Sequence, residues 1–263
     1  MKNLSKIIAL VLLVAVLLTA CAPKAPASQW EAIEKAGKIK IGTSADYPPF
    51  EYVDESGQFA GFDVEIMKAV GQKLGVEVEI VDMPFDSLIA AVQEGKIDMS
   101  VAAFNYSEER DQVVDFTIAY YNAEDGYLVK SDFADAISAP EDIANYIVAA
   151  GTGTTQDGWI QENLVDTGLL PASNYFKYDR IDQAALDVKS GRVDVLMAEA
   201  AVVKSFEKEI GGLKVAYVGT MSSGPMNMVV PNGSTELVAK LNAAIQELLD
   251  AGFIEEMAIK FMQ

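Results

Sequence analysis

Apolar and polar positions in the first half of the chain switch between two periods. Residues 39–43 read as a short apolar strand, and Phe62, Ile66, Val70 and Leu74 fall on one face of a helix over 62–74. Residues 76–81 alternate as a strand, Pro84 opens a helix running to Glu94, Gly95 stops it, and 97–103 is a run of buried-strand character. The order β-α-β-α-β predicts a parallel sheet covered by helices on both faces, with a ligand bound beyond the carboxyl ends of its strands.

A repeat extends this reading to the second half. DSLIAAVQEGKID, Asp86 to Asp98, returns 96 residues later as DQAALDVKSGRVD, Asp182 to Asp194, with Asp, Gly, a basic residue, a β-branched residue and Asp in register. A weaker echo pairs 39–43 with 147–152. Two similar α/β lobes are expected, although two ordinary helix-Gly-strand units would also give this pattern. Strands are expected at 147–150, 175–178, 193–198 and 213–218, and a closing helix at 234–250 carries Leu237, Leu241, Ile245 and Leu248 on one face. The predicted layout is lobe 1 over 30–125 plus 231–263, crossing hinge strands at 126–130 and 225–230, and lobe 2 over 131–224. A cleft between lobes joined by such strands is where a ligand is enclosed.

The N-terminus changes the compartment. Lys2 and Lys6 precede an apolar run from Ile7 to Leu18, too short to span a bilayer comfortably, and Leu18, Thr19 and Ala20 lead to Cys21. Residues 1–20 are read as a signal peptide. The Leu-Thr-Ala-Cys run resembles the bacterial lipobox, so Cys21, the single cysteine of the chain, is the expected lipidation site. Residues 21–29, rich in Pro, Ala and Ser, read as the lipid-anchored tether. The net charge is −19, and loss of two lysines with residues 1–20 makes it more negative. That excludes nucleic acid and electrostatic adhesion to anionic lipid.

The candidate chemistry sits in loops after strands. Tyr47, Phe50 and Tyr52 crowd beside Pro48 and Pro49 in the loop 42–61, which reads either as a holder of a small zwitterion or as a hydrophobic plug over the first strand. Ser107 is a candidate N-cap with Glu108 and Glu109 in the first turn. Arg110 beyond it reads as a carboxylate clamp or as a surface partner of Asp111 or Asp115. GTGTTQ, 151–156, joins a strand to a helix, where Thr154, Thr155 and free amides receive an anion or merely cap the helix. Glu199 ends a strand and reads as a counter-charge for an ammonium or as one more surface acid. The chain has no histidine, and lipidation would leave no thiol, which removes the usual general bases, nucleophiles and metal ligands.

Together IGTSADYPPFE (41–51), GFDVEIMKAV (61–70), PFDSLIAAVQEGKIDMSVAAFNYSEERDQVVDFT (84–117), GTGTTQ and GRVDVLMAE (191–199) resemble the bacterial extracellular solute-binding proteins of family 3, the polar amino-acid receptors of ABC importers. The resemblance implies an α/β, two-lobed, periplasmic-binding-protein-like fold of type II, each lobe a sheet flanked by helices, with two crossing hinge strands. It implies that Tyr47 and Phe85 sandwich the ligand, that Ala102, Ala103 and Asn105 border it, and that Arg110 with Thr154 or Thr155 grips the α-carboxylate. Glu199 then takes the α-ammonium where many relatives have Asp, with Asp46 and Phe50 as further candidates. Ser44 stands where binders of basic amino acids often carry Asp, which weighs against lysine or arginine. Ala102 and Ala103 in place of hydroxyl residues make the pocket less polar. The implied protein is a monomer without metal or cofactor, lipid-anchored at the extracytoplasmic face of the bacterial cell membrane or in the periplasm, delivering an amino acid to an ABC permease. The alternatives are an enzyme on the same fold, resembling cyclohexadienyl dehydratase, and a ligand-binding sensor partner.

Overall fold

The computed structural model describes residues 28–262. The signal segment 1–20, Cys21 and most of the 21–29 tether lie outside the described residues. Helix Gln29–Ala36 takes in the last tether position: the Ser28 hydroxyl accepts from the N–H of Glu31 at 3.1 Å, and Gly37 closes the helix in the left-handed region.

The alternating apolar residues of the first half build the parallel part of a sheet. Lys38–Thr43 lies between Glu77–Asp82 and Met99–Ser100, parallel to both. Phe62–Leu74 forms as its 3.6-residue pattern predicts, buries Phe62, Ile66 and Val70, and ends at Gly75 with φ 71°. Thr235–Asp250 lays Leu237, Leu241 and Ile245 into the same core, and Phe253–Met262 packs beside it. Each such fully buried side chain is worth about 1.5–3 kcal/mol of transfer free energy.

The predicted sheets are mixed rather than wholly parallel. In the first, the order is Glu77–Asp82, Lys38–Thr43, Met99–Ser100, Val229–Pro231, Val114–Phe116; in the second it is Tyr175–Tyr178, Val148–Gly151, Val195–Glu199, Asp125–Lys130, Leu213–Gly219. The orders correspond, and each sheet receives an antiparallel strand from the other half of the chain. Residues 126–130 therefore lie inside the second sheet. The expected strand 225–230 is broken into Pro225–Met226 and Val229–Pro231, because the N–H groups of Asn227 and Met228 turn to Phe104 O and Thr117 Oγ1, each at 2.9 Å. Pro225–Met226 pairs antiparallel with Tyr121–Asn122, so the two connections between lobes run side by side.

The repeat has a physical counterpart. Asp98 Oδ2 accepts from the N–H of Lys40 at 2.8 Å, and Asp194 Oδ2 accepts from the N–H of Ile147 at 2.8 Å. Each repeated aspartate thus ties its strand to the neighbouring one in its own lobe, three residues after a left-handed glycine, Gly95 or Gly191.

Residues 97–103 were expected as one strand, but only Met99–Ser100 is paired as such. Val101 still donates to Gly42 O at 3.0 Å, after which Ala103 adopts φ 48° and donates its N–H to Asp63 Oδ2 at 2.8 Å. A left-handed alanine costs free energy and persists where surroundings hold it. Here the buried Asp63 does so, and the turn directs the next residues to the cleft.

Candidate functional site

One cavity, with about 470 Å³ of empty space including its mouth, lies between the lobes. Its walls come from the segments that follow the parallel strands. Ser44, Asp46 and Tyr47 follow Lys38–Thr43, Phe85 follows Glu77–Asp82, and Ala102, Ala103 and Asn105 follow Met99–Ser100. From the second lobe, Thr154 and Thr155 follow Val148–Gly151, Ile181 follows Tyr175–Tyr178, and Glu199 ends Val195–Glu199. This is the carboxyl-end location expected of an α/β ligand site.

Arg110 reaches the cavity because Ser107 caps the short helix Glu108–Asp111, accepting from the N–H of Arg110 at 3.2 Å. Its guanidinium carbon stands 5.4 Å from the ring centroids of Phe85 and Phe104, within cation–π range. Nη1 donates to Asn105 O and Nη2 to Gly153 O across the cleft, each at 2.8 Å. Among the described residues no carboxylate is in ion-pairing distance of it, so the surface pairing with Asp111 or Asp115 does not form. Burial lowers its pKa to about 10, still far above neutrality.

Glu199 is 3% exposed and belongs to the second lobe. Tyr47 of the first lobe donates its hydroxyl to Glu199 Oε2, and Asn105 Nδ2 donates to Oε1 at 2.6 Å. Burial pushes this carboxyl up to about 8. Asn105 is itself fixed by the N–H of Gly224, which donates to its Oδ1 at 2.9 Å. The cavity thus has a guanidinium on one lobe and an acid on the other, and its own polar groups close across it.

The threonines divide. Thr154 Oγ1 donates to Gly151 O at 2.8 Å and accepts from the N–H of Asp157 at 3.1 Å, so its hydroxyl is used in capping helix Thr155–Ile160. Thr155 Oγ1 is buried in the cavity wall with no protein partner. Asp46 lines the cavity and accepts from the Ser44 hydroxyl at 2.8 Å and the N–H of Ile181 at 2.6 Å. Burial raises its pKa despite those two donors.

Phe50 is the candidate that the structure moves elsewhere. It is 0% exposed, does not line the cavity, and packs against Tyr47, Phe62 and Tyr121 at centroid distances of 6.0–6.2 Å. The apolar loop therefore divides: Phe50 plugs the core and Tyr47 lines the cleft. Gly61 makes this possible, since it sits at φ 124° and a Cβ there would meet Phe50 O at 2.2 Å.

Sequence reasoning missed Glu51 as a lining residue. Asp46–Tyr47 and Glu51–Val53 pair as a hairpin that sets Glu51 opposite Tyr47, so the YPPFE spacing held the signal. Gln156, Tyr178 and Asp179 also line the cavity.

A two-lobed frame enclosing a cavity with opposed cationic and acidic groups defines a ligand-capturing protein of the periplasmic-binding type. The chain belongs to the bacterial extracellular solute-binding proteins, family 3, whose model matches residues 39–263. It is 30% identical over 249 residues to an arginine-binding extracellular protein of Bacillus subtilis (strain 168), covering 93% of this chain and 92% of that one. It is also 30% identical to the L-arginine-binding protein of Pseudomonas aeruginosa, with 85% and 87% covered. Among solved structures it resembles an arginine-binding protein from T. maritima (TM-score 0.82, 31% identity, 89% of this chain and 98% of that one). An ancestral arginine-binding protein bound to arginine superposes with TM-score 0.80 at 34% identity, covering 86% and 99%. An ancestral amino-acid-binding protein described as a precursor of cyclohexadienyl dehydratase gives 0.79 at 30%, covering 90% and 100%.

Proposed function

We propose that the protein is the extracytoplasmic capture component of an ABC importer and that its ligand is an amino acid with a cationic side chain, arginine foremost. The observation that carries this is the placement of Arg110 and Glu199 on opposite lobes of one cavity. An α-carboxylate and an α-ammonium cannot be buried without partners, and these groups supply both. Arg110 grips the carboxylate together with the free hydroxyl of Thr155, Tyr47 and Phe85 flank the ligand, and Glu199 takes the ammonium. Three further acids, Asp46, Glu51 and Asp179, line the cavity without a second lining arginine or lysine. A cationic side chain finds acidic acceptors there and favours their ionised forms, which offsets the expectation drawn from Ser44. The arginine-binding names of the relatives agree with it.

Residues 1–20 direct export, Cys21 carries the lipid anchor, and a membrane permease accepts the ligand as the lobes reopen. The dehydratase-precursor neighbour raises catalysis as a second reading. A prephenate-like acid would bring two carboxylates to a cavity with one guanidinium and four acids, which disfavours it.

A thermal-shift screen against the common amino acids and prephenate tests the assignment. Arginine at 100 times its dissociation constant adds about 2.7 kcal/mol of stability. The expected result is a large shift with arginine, a smaller one with lysine or glutamine, and none with glutamate. Stabilisation by prephenate with turnover, or by no amino acid, overturns the reading.

A further inference from the structure

The two connections between the lobes meet at one wholly buried side chain. Asp125 is 0% exposed and opens the strand Asp125–Lys130 of the second sheet, where it pairs with Glu199. Its Oδ2 accepts from the N–H groups of Met221, Ser222 and Ser223 at 2.9, 2.7 and 2.9 Å. Its Oδ1 accepts from the hydroxyls of Ser222 and Ser223 at 3.1 and 2.6 Å and from Gln156 Nε2 at 3.0 Å. Six donors thus converge on one carboxylate, which among the described residues has no lysine or arginine in ion-pairing distance. They fasten the returning connection, 221–223, to the outgoing one. Gln156 also donates to Ser223 Oγ at 2.8 Å; it belongs to helix Thr155–Ile160 of the second lobe and lines the ligand cavity.

Backbone bonds mark where this fastening ends. On the outgoing connection Glu124 O accepts from the N–H of Ala200 in the second lobe at 2.7 Å, whereas the Tyr120 hydroxyl donates to Asp63 in the first at 2.9 Å. On the return, Pro225 O accepts from the N–H of Tyr106 at 3.1 Å and the N–H of Asn227 donates to Phe104 O at 2.9 Å, both in the first lobe. Tyr121–Asn122 pairs with Pro225–Met226 and goes with it. Ala123 and Gly224 are left between the two sets, and the N–H of Ala123 donates to Gly224 O at 3.0 Å. We propose that Asp125 is a positioning residue for ligand capture: it makes 221–223 part of the second lobe, so that the lobes bend at Ala123 and Gly224 and the flanking strands ride rigidly with their sheets. Both pivot residues are small, as hinge positions often are. The inference rests on capture by lobe closure as read above. Both sides of the pivot end in the ligand site, since Gln156 ties the clasp to the cavity wall, while Asn105 accepts from the N–H of Gly224 and donates to Glu199.

Residue-resolved amide hydrogen exchange, corrected for intrinsic rates and run with L-arginine as the probe, tests this. In the ligand-free protein the amides of Met221, Ser222 and Ser223 are expected to be about tenfold more protected than that of Gly224, and saturating arginine to slow Gly224 about tenfold while leaving the other three unchanged. Asp125→Ala removes their acceptor, so the arginine-dependent slowing should spread from Gly224 into 221–223; Asp125→Asn, which keeps one acceptor oxygen, should partly confine it again. A merely structural aspartate would lower the melting temperature and leave that pattern where it was. Slowing that stays confined to Gly224 in a folded Asp125→Ala overturns the proposal. So does equal protection of Gly224 and 221–223 in the ligand-free wild type, or equal slowing of them by arginine, and these two comparisons need no variant to fold. Should calorimetry show that arginine does not bind, the arginine reading fails instead. The ligand-free ranking then decides alone: a less protected Gly224 supports the pivot, and equal protection overturns it.

Discussion

Asp46 of the first lobe accepts a 2.6 Å hydrogen bond from the N–H of Ile181, the first residue of helix Ile181–Ser190 in the second lobe. That helix has no side-chain cap of its own from Arg180, so a carboxylate from across the cleft meets its free amides. The contact bridges the two lobes beside the cavity that both residues line. A bond between the lobes at the ligand site favours their closed arrangement, so a change here is expected to alter release.

Asp46→Ala is accordingly expected to raise the dissociation constant about tenfold, or about 1.4 kcal/mol, chiefly through faster dissociation. Asp46→Asn, which keeps an acceptor, should lose less. Stopped-flow displacement measures both, and an unchanged dissociation rate in Asp46→Ala would refute the closure role.

Arg110→Ala is expected to weaken ligand binding by about 2–5 kcal/mol, because it strands a buried carboxylate. The fold should survive, since the side chain bonds only to two carbonyls and stacks on Phe85 and Phe104. Arg110→Lys keeps the charge but not the planar fork and should recover only part of the affinity. Calorimetry with a parallel melting curve separates lost binding from lost structure.

The pH dependence follows from Glu199. Its ordinary value of 4.5 rises to about 8 on burial, so the folded ligand-free protein keeps a proton that the unfolded chain releases between those values. The stability this group contributes is complete below about 4.5 and falls as pH climbs toward 8. Asp63, raised from 3.8 to about 6, acts in the same direction over its own window. The ligand-free melting temperature is expected to fall from pH 5 to pH 8. A docked ammonium favours ionised Glu199, so affinity should rise over the same range and level off above about 8. Melting curves and titrations of Glu199→Gln should show both slopes reduced.

Phe50→Ala distinguishes a core role from a binding role. The ring is fully buried among Tyr47, Phe62 and Tyr121, so its loss should cost about 3–5 kcal/mol of unfolding free energy. Denaturant unfolding measures this, and a cost under about 1 kcal/mol would place the ring outside the core.

Most of the frame was written in local patterns. Phe62, Ile66, Val70 and Leu74 mark a helix because residues one turn apart share a face, and Gly75 ends it where φ must be positive. The repeated Asp98 and Asp194 announced matching lobes because each must supply the same strand-tying acceptor. The carboxyl-end rule then pointed to Tyr47, Arg110 and Glu199 before any contact was visible.

What the chain order could not decide was how neighbours in one loop divide between core, cap and cavity. Tyr47 faces the cleft while Phe50 enters the core, and Thr154 is spent on a helix start while Thr155 stays unpartnered. These pairs are alike in residue type, so only the surrounding packing separates them. The antiparallel strand in each sheet and the Asp46 to Ile181 contact depend on segments brought together by tertiary folding. Sequence periodicity reports which face of an element is apolar. Burial, and with it the charge state of Glu51, Asp63 and Glu199, is set by what packs on that face, and only the assembled lobes determine it.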